Sequence, residues 1–313
     1  MWRHQVKRRS FFGAIGAASL APLFGGWRET PPPDGAAAQT PWTPPPPMVE
    51  ATAVEIGGAQ LVCSDSGGDG PAIILLHPAT GSHRVWGYQQ SFLARAGYRV
   101  IAYSRRGFAG SSPTSTTSPE AGATDLDALM TRLGLARAHL VGSAAGAFVV
   151  SDFAISFPER AISLTIASTF GGITDPAYRA LIATLTPEGF DALPASFREL
   201  GPAYRAAYPQ GVAAWEALEH ESADRDRPRQ PTLNRLTWAA LASISAPTLV
   251  MSGGADLYMP APIGRTLASH FPNSRLKVVP DVGHSLYWEE PDAFNAGIID
   301  FLQSLPPASG HPA

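Results

Sequence analysis

Leu140-Val141-Gly142-Ser143-Ala144-Ala145-Gly146 is a short apolar run that breaks into small residues before a second apolar run, residues 147–157. It reads as a buried strand, a sharp turn and the opening of a helix, the arrangement in which the pattern G-x-S-x-G lifts a nucleophile above a sheet. Gly142 and Gly146 bracket Ala144, where the pattern calls for Ser, Cys or Asp. The flanking positions must be tiny, because the central residue takes a strained, positive-φ conformation and strand and helix approach closely. Placing Ser143 at the centre would put Val141 on a crowded flank. Ala144 is therefore the apex, and Ser143 is a flanking residue whose displaced hydroxyl stays a candidate for chemistry.

Outward from this turn, the segments 72–76, 98–103, 138–141, 162–167, 247–251 and 276–279 are short continuous apolar runs, as expected of parallel strands buried on both faces. Helix-like patterns at 89–96, 123–133, 145–157, 262–271 and 291–305 separate most of them. The alternation predicts an α/β fold with a mostly parallel, doubly wound sheet. Before it, 51–56 and 59–64 flank Gly57-Gly58 and read as an antiparallel hairpin. Between 169 and 242 the strand signal disappears, leaving helix-like stretches at 176–185, 187–200, 211–222 and 231–241. A strandless insert late in such a series predicts a helical cap over the carboxyl edge of the sheet, where open α/β sheets bind ligands. The aromatic residues of the insert are expected to pack the cap, and the charged run 224–229 to form a solvated loop.

Composition limits what these motifs can mean. The chain has 313 residues, 45% hydrophobic and 16% charged, enough for a large core and too apolar for disorder. A net charge of −3, with Lys7 and Lys277 the only lysines and no basic stripe, argues against nucleic acid as a partner. The single cysteine, Cys63, excludes an internal disulfide framework and a cysteine cluster for zinc. Nothing in the sequence asks for a metal or an organic cofactor.

At the N-terminus, Lys7-Arg8-Arg9-Ser10-Phe11-Phe12 precedes an uncharged, glycine-rich apolar run and then Ala36-Ala37-Ala38. This is a twin-arginine export pattern with small residues for a signal peptidase. Residues 1–38 are expected to be a Tat signal, placing the mature protein in the periplasm or outside the cell with no stable membrane span. Eight prolines within 31–47 predict an extended linker over 39–48, so the folded domain is expected to begin near Val49. The core then comprises 49–168 and 243–305, the cap 169–242, and 306–313 a loose tail.

Four further landmarks carry chemistry. His77-Pro78-Ala79-Thr80-Gly81 follows the strand ending at Leu76; Ser104-Arg105-Arg106-Gly107-Phe108-Ala109-Gly110-Ser111-Ser112 follows the next; Gly253-Gly254-Ala255-Asp256 and Asp281-Val282-Gly283-His284-Ser285 follow the last two. His284 can act as a general base only if another group fixes its tautomer and stabilises the imidazolium, and Asp256, one strand earlier, is placed to do so. In this order the landmarks resemble the α/β-hydrolase superfamily over residues 49–305: an oxyanion loop at His77, the D-x-R-G-x-G-x-S turn with Ser104 in place of Asp, the elbow, the acid and the histidine. The resemblance implies Asp256 and His284 as the catalytic acid and base, and His77 as structural. It implies an oxyanion hole made by the N–H groups of Ala145 and Ala79, since Pro78 occupies the usual Gly position and has no N–H to offer.

With Ala at the apex no acyl-enzyme forms at that atom, and the vacated space beside the base has room for water or a substrate oxygen. Three functions fit. The first is hydrolysis of an ester, lactone or C–C bond of a small apolar substrate, with His284 and Asp256 activating water. The second is a cofactor-free lyase, isomerase or dioxygenase with His284 as base, and the third a non-catalytic small-molecule binder. Substrate and oligomeric state are not legible in the sequence.

Overall fold

The apolar runs become eight strands and the periodic segments eleven α-helices among the residues described, which are 41–115, 117, 119–222 and 229–306 of a computed structural model. The signal-like segment, most of the charged run 224–229 and nearly all of the tail lie outside them. The strands are β1 Thr52–Ile56, β2 Ala59–Asp65, β3 Ala72–Leu76, β4 Arg99–Tyr103, β5 Ala138–Ser143, β6 Ala161–Ala167, β7 Thr248–Gly253 and β8 Ser274–Val279. They form one sheet in the order β1-β2-β4-β3-β5-β6-β7-β8. β1 pairs with β2, and β2 with β4, antiparallel; every later pairing is parallel.

Both faces of β3 to β7 are covered, which is why they read as continuous apolar runs, whereas β8 at the edge of the sheet is at most half-buried and Leu276 is exposed. Along β3 the side chains still alternate: Ile74 and Leu76 join one core cluster, Ile73 and Leu75 the other. The first cluster holds α2 (Gly122–Arg132) and α3 (Ala145–Ser156) through Leu126, Leu129, Val150 and Phe153. The second holds α1 (Gly87–Arg95) and α11 (Pro291–Gln303) through Leu93, Phe294, Ile298 and Phe301.

Among the described residues no strand lies between β6 and β7; the α-helices there are α4 (Pro176–Leu185), α5 (Ala195–Glu199), α6 (Pro202–Ala207), α7 (Pro209–Ser222) and α8 (Trp238–Ala242). α9 (Ala261–Ala268) and α10 (Leu286–Glu289) complete the set. The chain leaves β3 for β4 on one side and returns to β5 on the other. Such a switch point opens a crevice at the carboxyl ends of β3 and β5, where the His77 loop and the Ala144 turn sit.

The folded unit starts earlier than the proline content suggests. The described chain from Pro41 onward forms one compact unit. Residues 41–51 have no regular element, yet Trp42 packs on Trp288 with ring centroids 6.2 Å apart, Met48 joins the core, and the Tyr88 hydroxyl donates to the Thr43 carbonyl. Polyproline geometry does not prevent packing when Trp and Met are interleaved with the prolines.

Candidate active site

β5 ends at Ser143, and α3 begins at Ala145. Between them Ala144 has φ 48° and ψ −111°, half-buried at the apex of the turn. The glycines on either side are required. A Cβ on Gly142 would lie 2.7 Å from Ala147 N and Cα, and one on Gly146 would lie 2.1 Å from the Leu76 carbonyl oxygen and 2.9 Å from that of His77. Gly146 thus lets the start of the His77 loop sit directly against the N-terminus of α3. That end carries the positive pole of the helix dipole and N–H groups with no intrahelical partner, Ala145 among them.

The His77 loop is fixed from the other side. His77 Nδ1–H donates to the Pro78 carbonyl at 2.7 Å, and its Nε2 accepts the Arg105 N–H at 3.0 Å. The ring is fully buried and both nitrogens are engaged. Ser104, where the family pattern has Asp, bonds through its hydroxyl to the backbone N–H (3.2 Å) and Nδ1 (2.8 Å) of His83. Burial pushes His83 down to about 4, so this pairing is neutral. Ala79 lies exposed on the loop, next to Thr80.

Asp256 follows β7 and His284 follows β8. A Cβ on Gly253 would meet the carbonyl oxygens of Val282 and Gly283 at 2.2 Å, so glycine there allows the two loops to touch. His284 Nδ1–H donates to both carboxylate oxygens of Asp256, at 3.0 and 2.9 Å. Asp256 Oδ1 also accepts the N–H groups of Tyr258 (2.8 Å) and Met259 (2.9 Å), which fixes the carboxylate. Both side chains are buried, and the Tyr258 ring lies 4.4 Å from the imidazole.

Ser143 is not joined to this pair. It is the last residue of β5, 1% exposed, and its hydroxyl has no hydrogen-bond partner among the described residues. The structure brings Asp256 and His284 together and leaves Ser143 below the apex.

Two carboxyl groups beside the dyad have no signal in the sequence. Glu199, at the end of α5, is buried and accepts hydrogen bonds from the hydroxyls of Thr80 and Ser285, both at 3.2 Å. Glu289, at the end of α10, accepts the N–H of Gly201 (2.8 Å) and of Gly283 (3.1 Å), clasping the cap to the residue before His284. Burial raises both acids, Glu289 to about 7. For His284, burial alone would lower the pKa, but Asp256, Glu199 and Glu289 together outweigh it and raise it to about 9. Glu199 sits in an ordinary helix-like stretch of the cap, and only the tertiary fold places it here. Among the described residues no three His, Cys, Asp or Glu side chains are grouped to hold a metal ion, and no helix is long and apolar enough to cross a membrane.

A strand-turn-helix apex, a His-containing loop at its side and a histidine clamped by an aspartate, all at the carboxyl edge of one sheet, agree with a match of the alpha/beta hydrolase family model to residues 73–296. The chain belongs to the alpha/beta hydrolase family. Its relatives in the family differ in what they are named for. The chain is 29% identical over 257 residues to a Mycobacterium tuberculosis protein with the provisional name non-heme bromoperoxidase BpoC, covering 77% of this chain and 97% of that one. It is 29% identical over 261 residues to a 2-hydroxy-6-oxononadienedioate/2-hydroxy-6-oxononatrienedioate hydrolase of Comamonas testosteroni, covering 75% and 88%. Among solved alpha/beta hydrolase structures, a hydrolase from Pseudomonas aeruginosa superposes with a TM-score of 0.64 at 25% identity, over 81% of this chain and 98% of that one. A cavity of about 440 Å³ lies elsewhere, lined by Trp42, Tyr88, Tyr204, Tyr208 and Trp288 and by none of Ala144, Asp256 and His284.

Proposed function

We propose that the protein is a hydrolase of an ester, lactone or C–C bond in a small apolar substrate, in which the His284/Asp256 pair activates a water molecule directly. The observation that carries the reading is the buried, two-oxygen clamp of Asp256 on His284 Nδ1, at the same carboxyl edge of the sheet as an apex that bears only a methyl group. The clamp fixes the tautomer in which Nε2 is free to take a proton. A relative named a 2-hydroxy-6-oxononadienedioate/2-hydroxy-6-oxononatrienedioate hydrolase supports hydrolysis as the reaction class.

In this mechanism the substrate carbonyl oxygen lies against the N–H of Ala145, with Ala79 as the second donor that the family resemblance implies. Water occupies the space that a serine hydroxyl would fill over Ala144. His284 Nε2 takes its proton as the oxygen attacks the carbonyl carbon, and the negative charge moves to the carbonyl oxygen. The imidazolium, balanced by Asp256, returns the proton to the leaving group as the tetrahedral intermediate collapses. Because the raised pKa of His284 keeps the ring protonated at neutral pH, turnover should climb with pH towards about 9.

The test is hydrolysis of an activated ester by the mature protein under pre-steady-state conditions. Direct water attack gives turnover without a burst of leaving group, and His284→Ala loses at least about 100-fold of the rate. Undiminished turnover in His284→Ala sinks the mechanism. Export belongs to the same proposal: residues 1–38 act as a Tat signal, and the N-terminal sequence of protein recovered outside the cytoplasm should begin near residue 39.

A further inference from the structure

We propose that Glu199 is a positioning residue of this site: its carboxyl group, brought down from the cap, ties the oxyanion loop to the histidine loop and stabilises the His284 imidazolium. The geometry is a bridge. One carboxyl oxygen takes the Thr80 hydroxyl, next to Ala79, and the other takes the Ser285 hydroxyl, next to His284. The Glu199 backbone carbonyl also accepts the Ser285 N–H at 2.9 Å, and Trp215 Nε1–H donates to the Ser285 hydroxyl at 3.2 Å, so the bridge is held at both ends. A single buried side chain therefore connects three elements that meet at the reacting centre: the loop after β3, the loop after β8 and the cap.

Charge makes Glu199 more than a strut. Both of its side-chain bonds are to hydroxyls, and no Lys or Arg pairs with it among the described residues. The positive group that favours its ionised form is His284, and a buried carboxylate is costly without such a partner. The groups that face His284 are Asp256 from the loop after β7, the Tyr258 ring, Glu289 from α10 and Glu199 from α5, with Arg198 and Asp191 acting on Tyr258 behind them. Asp256, Glu289 and Glu199 form a set of three carboxyl groups around one imidazole. Asp256 bonds the ring itself and Glu289 bonds backbone N–H groups. Glu199 alone joins the set to the oxyanion loop, so its ionisation links the base to the loop that holds the substrate carbonyl.

The proposal rests on His284 being the base of the proposed reaction, but its test needs no substrate. The imidazole resonances of the full chain are titrated by NMR between pH 5 and 10.5, with His284 assigned by its loss in His284→Ala from the set of eight histidines. Glu199→Gln keeps the shape and one acceptor oxygen while removing the charge, its amide NH2 donating to the second hydroxyl in place of the lost acceptor, and the His284 midpoint should fall by at least about half a pH unit. Thr80→Val removes one donor to the Glu199 carboxylate and should move the midpoint the same way by less. It serves as the second variant if Glu199→Gln does not fold. In parallel, the pH at which ester turnover reaches half its maximum should move down with the NMR midpoint. An unchanged His284 midpoint in the folded variants overturns the proposal. Full turnover in His284→Ala, with the midpoint shifted as expected, would instead overturn the hydrolytic reading and leave the role of Glu199 standing.

Discussion

Ala144 stands at a positive-φ apex between β5 and α3 and carries only a methyl group. A non-glycine residue at φ 48° and ψ −111° costs on the order of 1–3 kcal/mol, and that strain persists here because β5 and α3 over-determine the turn. Beside it the ionisation of His284 sets a definite pH window. The folded pKa, about 9, lies above the ordinary 6.5, so this contribution to stability is full below about pH 6.5 and is lost as pH rises through 9. His83 and His139, both lowered to about 4 by burial, are neutral throughout the upper part of that range and do not oppose it. The melting temperature should therefore drop between pH 7 and 9, on a scale of about 2–4 °C per kcal/mol for a chain of this size. His284→Ala should remove that slope, and a variant that melts with the wild-type slope shows that another group causes it. The Ala144 apex, His284 and Asp256 were legible because each stands in a short motif with a steric or electrostatic reason. Glu199 was not: no local pattern distinguishes a helical glutamate that faces solvent from one that the fold turns inward.

Elements were legible where periodicity and breakers agree. The runs at 72–76 and 138–141 become β3 and β5, and the helix-like patterns at 145–157 and 176–185 become α3 and α4. Two cap helices are shorter than their patterns. The stretch 187–200 breaks before Pro194, which precedes α5 and cannot continue a helix, so only Ala195–Glu199 is α-helical. In 231–241 only the end is helical, as α8. The earlier residues are held instead by Asp152, whose carboxylate accepts the N–H groups of Leu233 and Asn234 at 2.7 and 2.9 Å. A side chain eighty residues away satisfies the backbone that a helix would have satisfied, a competition that local propensity does not contain. Where strand and helix must touch, the sequence is strict. Gly146→Ala would place a Cβ 2.1 Å from the Leu76 carbonyl oxygen, and the mutant should lose at least about 2 kcal/mol in urea unfolding. A stability within about 0.5 kcal/mol of wild type would mean that β3 and α3 separate easily, against the geometry described for the His77 loop.

At the scale of the whole molecule, one sheet gathers five loops at its carboxyl edge, and the family follows from their order. The boundary of the folded unit was less legible, because eight prolines within 31–47 conceal a segment that packs. A chain beginning at Val49 lacks Trp42, Met48 and the carbonyl that takes the Tyr88 hydroxyl, so it should melt well below one beginning at residue 39. Equal melting temperatures would show that these contacts add nothing. On the proposed function, this member of the alpha/beta hydrolase family uses Asp256 as acid partner and His284 as base and lacks one atom at Ala144. Labelling by a serine-directed fluorophosphonate, read by intact mass, tests it most directly. Wild type should stay unlabelled, Ala144→Ser should take up one label at residue 144, and Ala144→Ser with His284→Ala should take up none. Labelling of the wild type at Ser143, or an unreactive but folded Ala144→Ser, would contradict the account.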